Sequence, residues 1–370
     1  MSRGKPAQNG LMAAKTVAER WLGELTNLPT ASGLEHEVVA WVKRWVGRRA
    51  DLRLIEDSGG NLLINMTIRK AKAPVLAVAH MDHPAFVITD VSAREAAFEF
   101  RGGVRPEYFQ DATVDFVTGP ARSGRIVSYD AGQRRGSIAM SGGSLPGPGD
   151  IARWRFASTR LAPGRFLAPA CDDLAGCAAA LAALDKARRR PELGHFGVLL
   201  TRAEEMGFVG ALHAARHRTI PADARILSIE TSRASTDAPI GHGPVIRVGD
   251  AATVFDDDLT NRVSRLVAQT GLRHQRKLMS GGTCEATAFG VHGYRATGLC
   301  LPLGNYHNMG NLDDVEAGTG SAHPMLEEVS LDDFHGLVEL LLVAARGVDG
   351  DWDLPQRLDR VYDEGRHLLG

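Results

Sequence analysis

Five short stretches of this chain end on a histidine or a carboxylate, and that recurrence limits the fold more than any other feature. Residues 75–79 (VLAVA) run into His80 and Asp82. The segment Pro169-Ala170-Cys171 runs into Asp172 and Asp173, and 196–200 (FGVLL) leads to Glu204 and Glu205. Residues 225–229 (RILSI) end at Glu230, and Leu301-Pro302-Leu303 brings out His307. Apolar, partly β-branched runs of this length read as buried strands. Where such strands alternate with helices, ligand-binding groups collect outside the strands' carboxyl ends.

Each position has a plainer account when taken alone. A histidine after a strand is usually solvated, an Asp-Asp pair at a helix start usually caps it, and Glu-Glu is usually a wet helix start. Taken together they make the ligand inventory of a two-metal site. Strand alternation puts His80 and Asp82 on one face, so that the carboxylate can accept the second imidazole N–H and fix the tautomer. Adjacent residues leaving a strand diverge, so one of Glu204 and Glu205 can reach metal while the other faces a water. Histidine and carboxylate ligands without thiolate suit two zinc ions, with cobalt or manganese also compatible.

These strings resemble the co-catalytic dinuclear zinc peptidase clan, and within it the tetrahedral aminopeptidases that include glutamyl and deblocking enzymes. His80-Met81-Asp82 is similar to the first ligand motif, Asp172-Asp173-x-Ala-Gly-Cys to the second and Glu204-Glu205-x-Gly-x-x-Gly-Ala to the third. Asp57-x-x-Gly60-Asn61-Leu62, Gly241-x-Gly243-Pro244-Val245 and Gly281-Gly282-Thr283 resemble framework strings, and the likeness runs from about residue 16 to 345. The resemblance implies that Asp172 bridges two metals, with His80 and Glu230 completing one and Glu205 and His307 the other. It implies Glu204 as general base, an unusual peptide link after Asp172, and hydrolysis of N-terminal residues through a metal-bridging hydroxide. His323 is a second candidate for the last ligand. The sequence departs from the family pattern at Glu230, Leu174 and Glu285.

A substrate amine needs an acidic or carbonyl partner, and Glu285, Asp82 and Glu230 are the candidates, with Gly282 and Thr283 beside the first. A deacylase or carboxypeptidase would instead need a basic residue for a carboxylate, and Arg247 or Arg295 offers one. The reading from another class is a metal-stabilised binding or assembly protein without catalysis; the presence of Glu204, which a structural site does not need, speaks against it.

Around these motifs, residues 11–50 read as two amphipathic helices, with Trp21, Leu22 and Leu25 on one and Val38, Val39, Trp41, Val42 and Trp45 on the other. Between 92 and 165 the chain breaks into short strand-like runs separated by Gly and Pro, which reads as an inserted β domain. By resemblance, that insert serves dimerisation and borders the site. The expectation is a three-layer α/β/α sandwich from 11–91 and 166–349, the insert at 92–165, and a helical tail over 350–370 that caps the core or a partner subunit.

A net charge of −1 in 370 residues offers nothing to nucleic acid or an anionic membrane. The polar start MSRGKPAQNG lacks a signal-peptide core, and Cys171, Cys177, Cys284 and Cys300 follow no secreted or zinc-ribbon spacing. The expectation is a cytoplasmic homo-oligomer acting on peptide or aminoacyl substrates.

Overall fold

A computed structural model describes residues 16–369 apart from 69–71, 93, 141–142, 157 and 351–353. The expected helix start at residue 11 and part of the expected tail lie outside these residues. Its centre is an eight-stranded sheet in the order Leu52–Glu56, Leu62–Met66, Phe196–Thr201, Val75–His80, Arg225–Glu230, Arg295–Cys300, Val245–Gly249, Gln275–Leu278. Phe196–Thr201, Val75–His80, Arg225–Glu230 and Arg295–Cys300 are mutually parallel, with Thr201 level with His80 and Glu230 level with Cys300. Their carboxyl ends therefore finish along one edge of the sheet.

Both faces of the sheet are covered, and the strand period of two shows how. In Val75–His80, Val75, Ala77 and Ala79 join one core with the helices Val17–Leu25, His36–Gly47, Leu174–Ala187 and Leu331–Gly347. Leu76 and Val78 join the opposite core with Val209–Arg216 and Glu285–Gly290. This is the expected three-layer sandwich. Leu174–Ala187 (LAGCAAALAALDKA) has every residue but Lys186 buried, and its small side chains let it lie close against the sheet. Trp21, Leu22, Leu25, Val38, Val42 and Trp45 face the core as expected, while Val39 and Trp41 are half-buried.

The strands Ala85–Val91, Glu95–Arg101, Arg135–Met140, Arg122–Asp130, Thr113–Phe116 and Ile151–Trp154 close into a barrel. Its core is aromatic: Phe86 meets Phe98, Phe100 and Trp154 edge-on at 4.6–4.9 Å. The barrel strands thus begin before residue 92 and end before 165. Arg160–Ala162 and Arg165–Ala168 pair instead with Glu327–Ser330 in a separate four-stranded sheet. The tail helix Leu354–Gly365 caps no core in this chain, because none of its residues is buried. Leu358, Val361 and Tyr362 on it are more than half exposed. Among the described residues no helix is long and apolar enough to cross a membrane.

Candidate metal centre and active site

The sheet edge collects the expected residues. His80 and Glu230 close adjacent strands, and Glu204 and Glu205 sit in a short 3-10 turn just beyond Thr201. Asp172 lies just before the Leu174–Ala187 helix, and the Asp172–Asp173 peptide is cis. His307 comes from a turn in which Asn305, His307 and Asn308 all have positive φ, a conformation that costs energy outside glycine.

Two groups of side chains present ligand atoms within 4.8 Å of one another: His80, Glu204 and Glu230, and Asp172, Glu205 and His307. Asp172 links them, with Oδ1 3.4 Å from His80 Nε2 and Oδ2 3.3 Å from His307 Nε2. His307 Nε2 also lies 3.2 Å from Glu205 Oε1, and His80 Nε2 lies 3.8 Å from Glu204 Oε2.

Both imidazoles are turned so that Nε2 faces the cluster. His307 Nδ1 is 2.6 Å from the carbonyl of Gly103, at the exit of a barrel strand, and donation there leaves the Nε2 lone pair inward. His80 Nδ1 is 3.2 Å from the Asp82 carbonyl and 3.4 Å from Asp82 Oδ1. Asp82 itself is fully buried and accepts from Ser32 Oγ at 2.5 Å, Glu204 N at 3.0 Å and Glu205 N at 3.1 Å. One carboxylate thus orients His80 and fixes the turn carrying both glutamates.

The donor set fits divalent cations. His80 Nε2, Asp172 Oδ1, Glu205 Oε1 and Glu230 Oε2 are buried and have no hydrogen-bond partner, which in a protein interior calls for a ligand. The protonation equilibria show the same crowding of negative charge. Burial, together with the neighbouring Glu230 and Glu205 carboxylates, pushes Glu204 well above the ordinary range against the pull of His80. Burial and Asp172 raise Glu230 likewise. Burial works against protonation of His80, but Glu204, Asp172 and Asp82 carry it well above its ordinary value. Asp172 goes the other way: burial opposes its charge, but His307 and His80 hold it below the usual carboxylate range. Two divalent ions would satisfy the same carboxylates with more charge than two imidazolium protons supply.

The remaining expected residues are placed as follows. His323 is exposed, in a two-residue strand, and belongs to neither cluster. Glu285, expected beside the substrate amine, is fully buried and does not line the cavity beside the clusters. It opens a helix on the inner side of the site, where burial raises its pKa to about 7. Asp82 is also sealed from any substrate. Of the three carboxylates expected to meet an amine, only Glu230 borders the large cavity beside the clusters, and Gly282 and Thr283 form part of its wall. That cavity is about 690 Å³ and also contains Arg247, Lys277 and Tyr306. Arg247 is 2 % exposed, holds Ser232 Oγ and the Met279 carbonyl at 3.3 Å, and leaves its buried Nε without a partner. Arg295 is bound to Asp256 and Asp258, away from the cavity.

Three residues that the sequence did not single out support the site. Glu327 Oε2 accepts from Cys171 N at 2.6 Å and Asp172 N at 3.0 Å, and burial raises its pKa to about 7. His83 joins the Asp172 carbonyl at 2.6 Å to Asn308 Oδ1 at 3.2 Å, and Ser32 holds Asp82. A second histidine three residues after His80 was the only visible sign of any of them; the other two act from segments remote in sequence.

Residues 147–319 match the sequence model of the M42 glutamyl aminopeptidase family. No curated protein matches the chain. Solved structures match nearly throughout. The Pyrococcus horikoshii TET1 peptidase, described as assembling into a tetrahedron or a large octahedral shell, is 22% identical over 89% of this chain and 99% of its own, with a TM-score of 0.73. An aminopeptidase of the archaeon Desulfurococcus kamchatkensis is 20% identical over 90% and 98%, with a TM-score of 0.72. A TET aminopeptidase from a marine-sediment Thaumarchaeota archaeon is 21% identical over 90% and 97%, also at 0.72. At these identities the likeness is one of fold.

Proposed function

We propose that this peptide-bond hydrolase is a dinuclear aminopeptidase that prefers an acidic N-terminal residue, a reading supported by the match to the M42 glutamyl aminopeptidase model over 147–319 and by the likeness of fold to the TET peptidases. The observation that carries the dinuclear reading is the pair of buried ligand clusters joined by the two oxygens of Asp172. Two divalent ions, when bound, would supply Lewis acidity to the scissile carbonyl and lower the pKa of a bound water.

The chain's own residues do the rest. His80, Glu230, Glu205 and His307 complete the two sites, and Asp82, His83 and Glu327 hold the ligands in place. Glu204 takes the proton of the attacking water and returns it to the leaving amine. Its neighbour Glu205 lies 3.2 Å from His307 Nε2, whereas Glu204 stands 3.8 Å from His80 Nε2, which makes Glu204 the less tightly held of the two. The substrate's first side chain enters the cavity beside Glu230, where the amine meets that carboxylate. Arg247 and Lys277, which have no carboxylate partner among the described residues, suit a negatively charged side chain. The same pair also suits a free carboxylate, so a related carboxypeptidase or deacylase is the second reading. The protein would be a cytoplasmic homo-oligomer; the homo-oligomeric part of this reading draws on the TET1 peptidase, which can assemble into a tetrahedron or a large octahedral shell.

Glu204→Gln tests the mechanism. It should keep its metal content and lower kcat about 10²- to 10⁴-fold; unchanged turnover would exclude Glu204 as the base. A panel of free-amine glutamyl and leucyl anilides with their N-acetylated forms separates the readings, since hydrolysis of acetylated substrates alone would replace the aminopeptidase by a deacylase.

A further inference from the structure

At the far end of the catalytic domain the helices Val17–Leu25, His36–Gly47 and Leu174–Ala187 enclose a groove of about 650 Å³ whose walls carry six arginines and two carboxylates. The arginines are Arg20, Arg44, Arg48, Arg49, Arg188 and Arg189. Leu174–Ala187 starts beside Asp172 and its other end borders the groove, which a rise of about 1.5 Å per residue places about 20 Å from the metal centre. We propose that this groove binds a small polyanion bearing two or more phosphate or carboxylate groups. The inference does not depend on the reading of the active site.

The site is built rather than merely charged. Arg49 lies 3.7 Å over the ring of Trp45 and 5.1 Å from that of Trp21, and it is held by Asp185 at 2.8 Å and the Trp45 carbonyl at 2.7 Å. Arg188 is fixed by Asp185 and Asp51 at 3.0–3.1 Å. These two guanidinium groups are preorganised, so little freedom is lost when a ligand meets them. Trp45 also leaves its buried Nε1 without an acceptor.

Helix ends account for part of this charge, since cations complement the carbonyls in a last turn. They do not account for all of it. The single carboxylate of Asp185 is already shared by Arg49, Arg188 and Arg189. Arg44 and Arg48, one turn apart on the same helix face, have no carboxylate partner among the described residues, and like charges at that spacing repel. A polyanion would relieve that repulsion and neutralise the surplus. Trp41, half-buried, supplies an aromatic wall on the open side.

Three of the chain's five tryptophans line the groove, which provides a direct readout. Tryptophan fluorescence of the full chain would be titrated with tripolyphosphate and, separately, with citrate at constant ionic strength. The expected result is a saturable change whose midpoint weakens about tenfold in Arg44→Ala/Arg48→Ala and stays put in Arg160→Ala, an exposed arginine on another sheet. A response to tripolyphosphate alone assigns phosphate, and a response to both assigns polyanions in general. Both variants alter exposed side chains, and their circular dichroism should match the parent. No saturable change, the same change produced by sodium chloride, or an unaltered midpoint in the double variant would overturn the proposal.

Discussion

Replacing Asp82 by Asn isolates the one carboxylate that ties His80 to the glutamate turn. Asp82 Oδ1 accepts from Glu204 N and faces His80 Nδ1, while Oδ2 accepts from Ser32 Oγ and Glu205 N. An amide keeps one oxygen and puts an NH₂ where the other stood. If the NH₂ takes the Oδ2 position, Ser32 can turn to accept, but the Glu205 N–H is left facing another donor. One hydrogen bond to a charged acceptor is lost, about 1.5–3 kcal/mol, and the survivors fall to neutral strength. The turn carrying Glu204 and Glu205 should therefore loosen, with a total loss near 2–4 kcal/mol in folding stability. Because His80 also loses an orienting carboxylate, metal affinity should drop about 10- to 100-fold, or about 1.4–2.7 kcal/mol. The assay is metal content after dialysis against a graded series of chelators, alongside thermal unfolding of the metal-free and loaded protein and steady-state turnover. Turnover should recover substantially at saturating metal, since Asp82 touches no substrate. A variant that binds metal and unfolds like the parent yet has lost turnover would refute this reasoning and make Asp82 a participant in the chemistry.

Arg247→Met should lower kcat/KM for a glutamyl substrate about 30-fold or more, about 2 kcal/mol, while leaving a leucyl substrate nearly unchanged; equal losses on both would remove Arg247 from side-chain recognition. Chelation should abolish turnover and lower the melting temperature. Zinc at about 100 times its Kd should restore about 2.7 kcal/mol, read by calorimetry. Asp250 accepts from Ala252 N, Thr253 N, Cys284 N and Thr287 Oγ1 at 2.6–3.0 Å. Burial opposes its charge, yet these bonds hold its pKa below 3.8. A carboxylate lowered on folding contributes stability that is present above its unfolded pKa and lost as pH falls through the lower, folded value. Asp250→Asn should accordingly destabilise the protein at pH 7 by about 2 kcal/mol, with the gap to the parent closing below about pH 4.

Strand runs ending on ligand-type residues, the small-residue helix after Asp172 and the period-two alternation of 75–79 were legible without coordinates, because each rests on local periodicity and on chemistry at fixed short spacing. They were enough for the three-layer sandwich and for the residues that meet at the sheet edge. What the chain alone left open depended on distance in space. The bounds of the barrel follow from ring closure, in which Ala85–Val91 pairs with Ile151–Trp154, and no local pattern marks that pairing. Glu285 reads in sequence as a partner for a substrate amine, and only the packing of its helix buries it. Glu327 reaches Asp172 across 155 residues, and Gly103 reaches His307 across 204. Such partners are set by how layers and insert dock, a consequence of burying apolar faces, and neither spacing nor periodicity encodes which polar group ends up opposite which. The arginines that line the groove lie on or just after three helices, the third far from the first two in sequence, and no spacing marks that the helices bring them together.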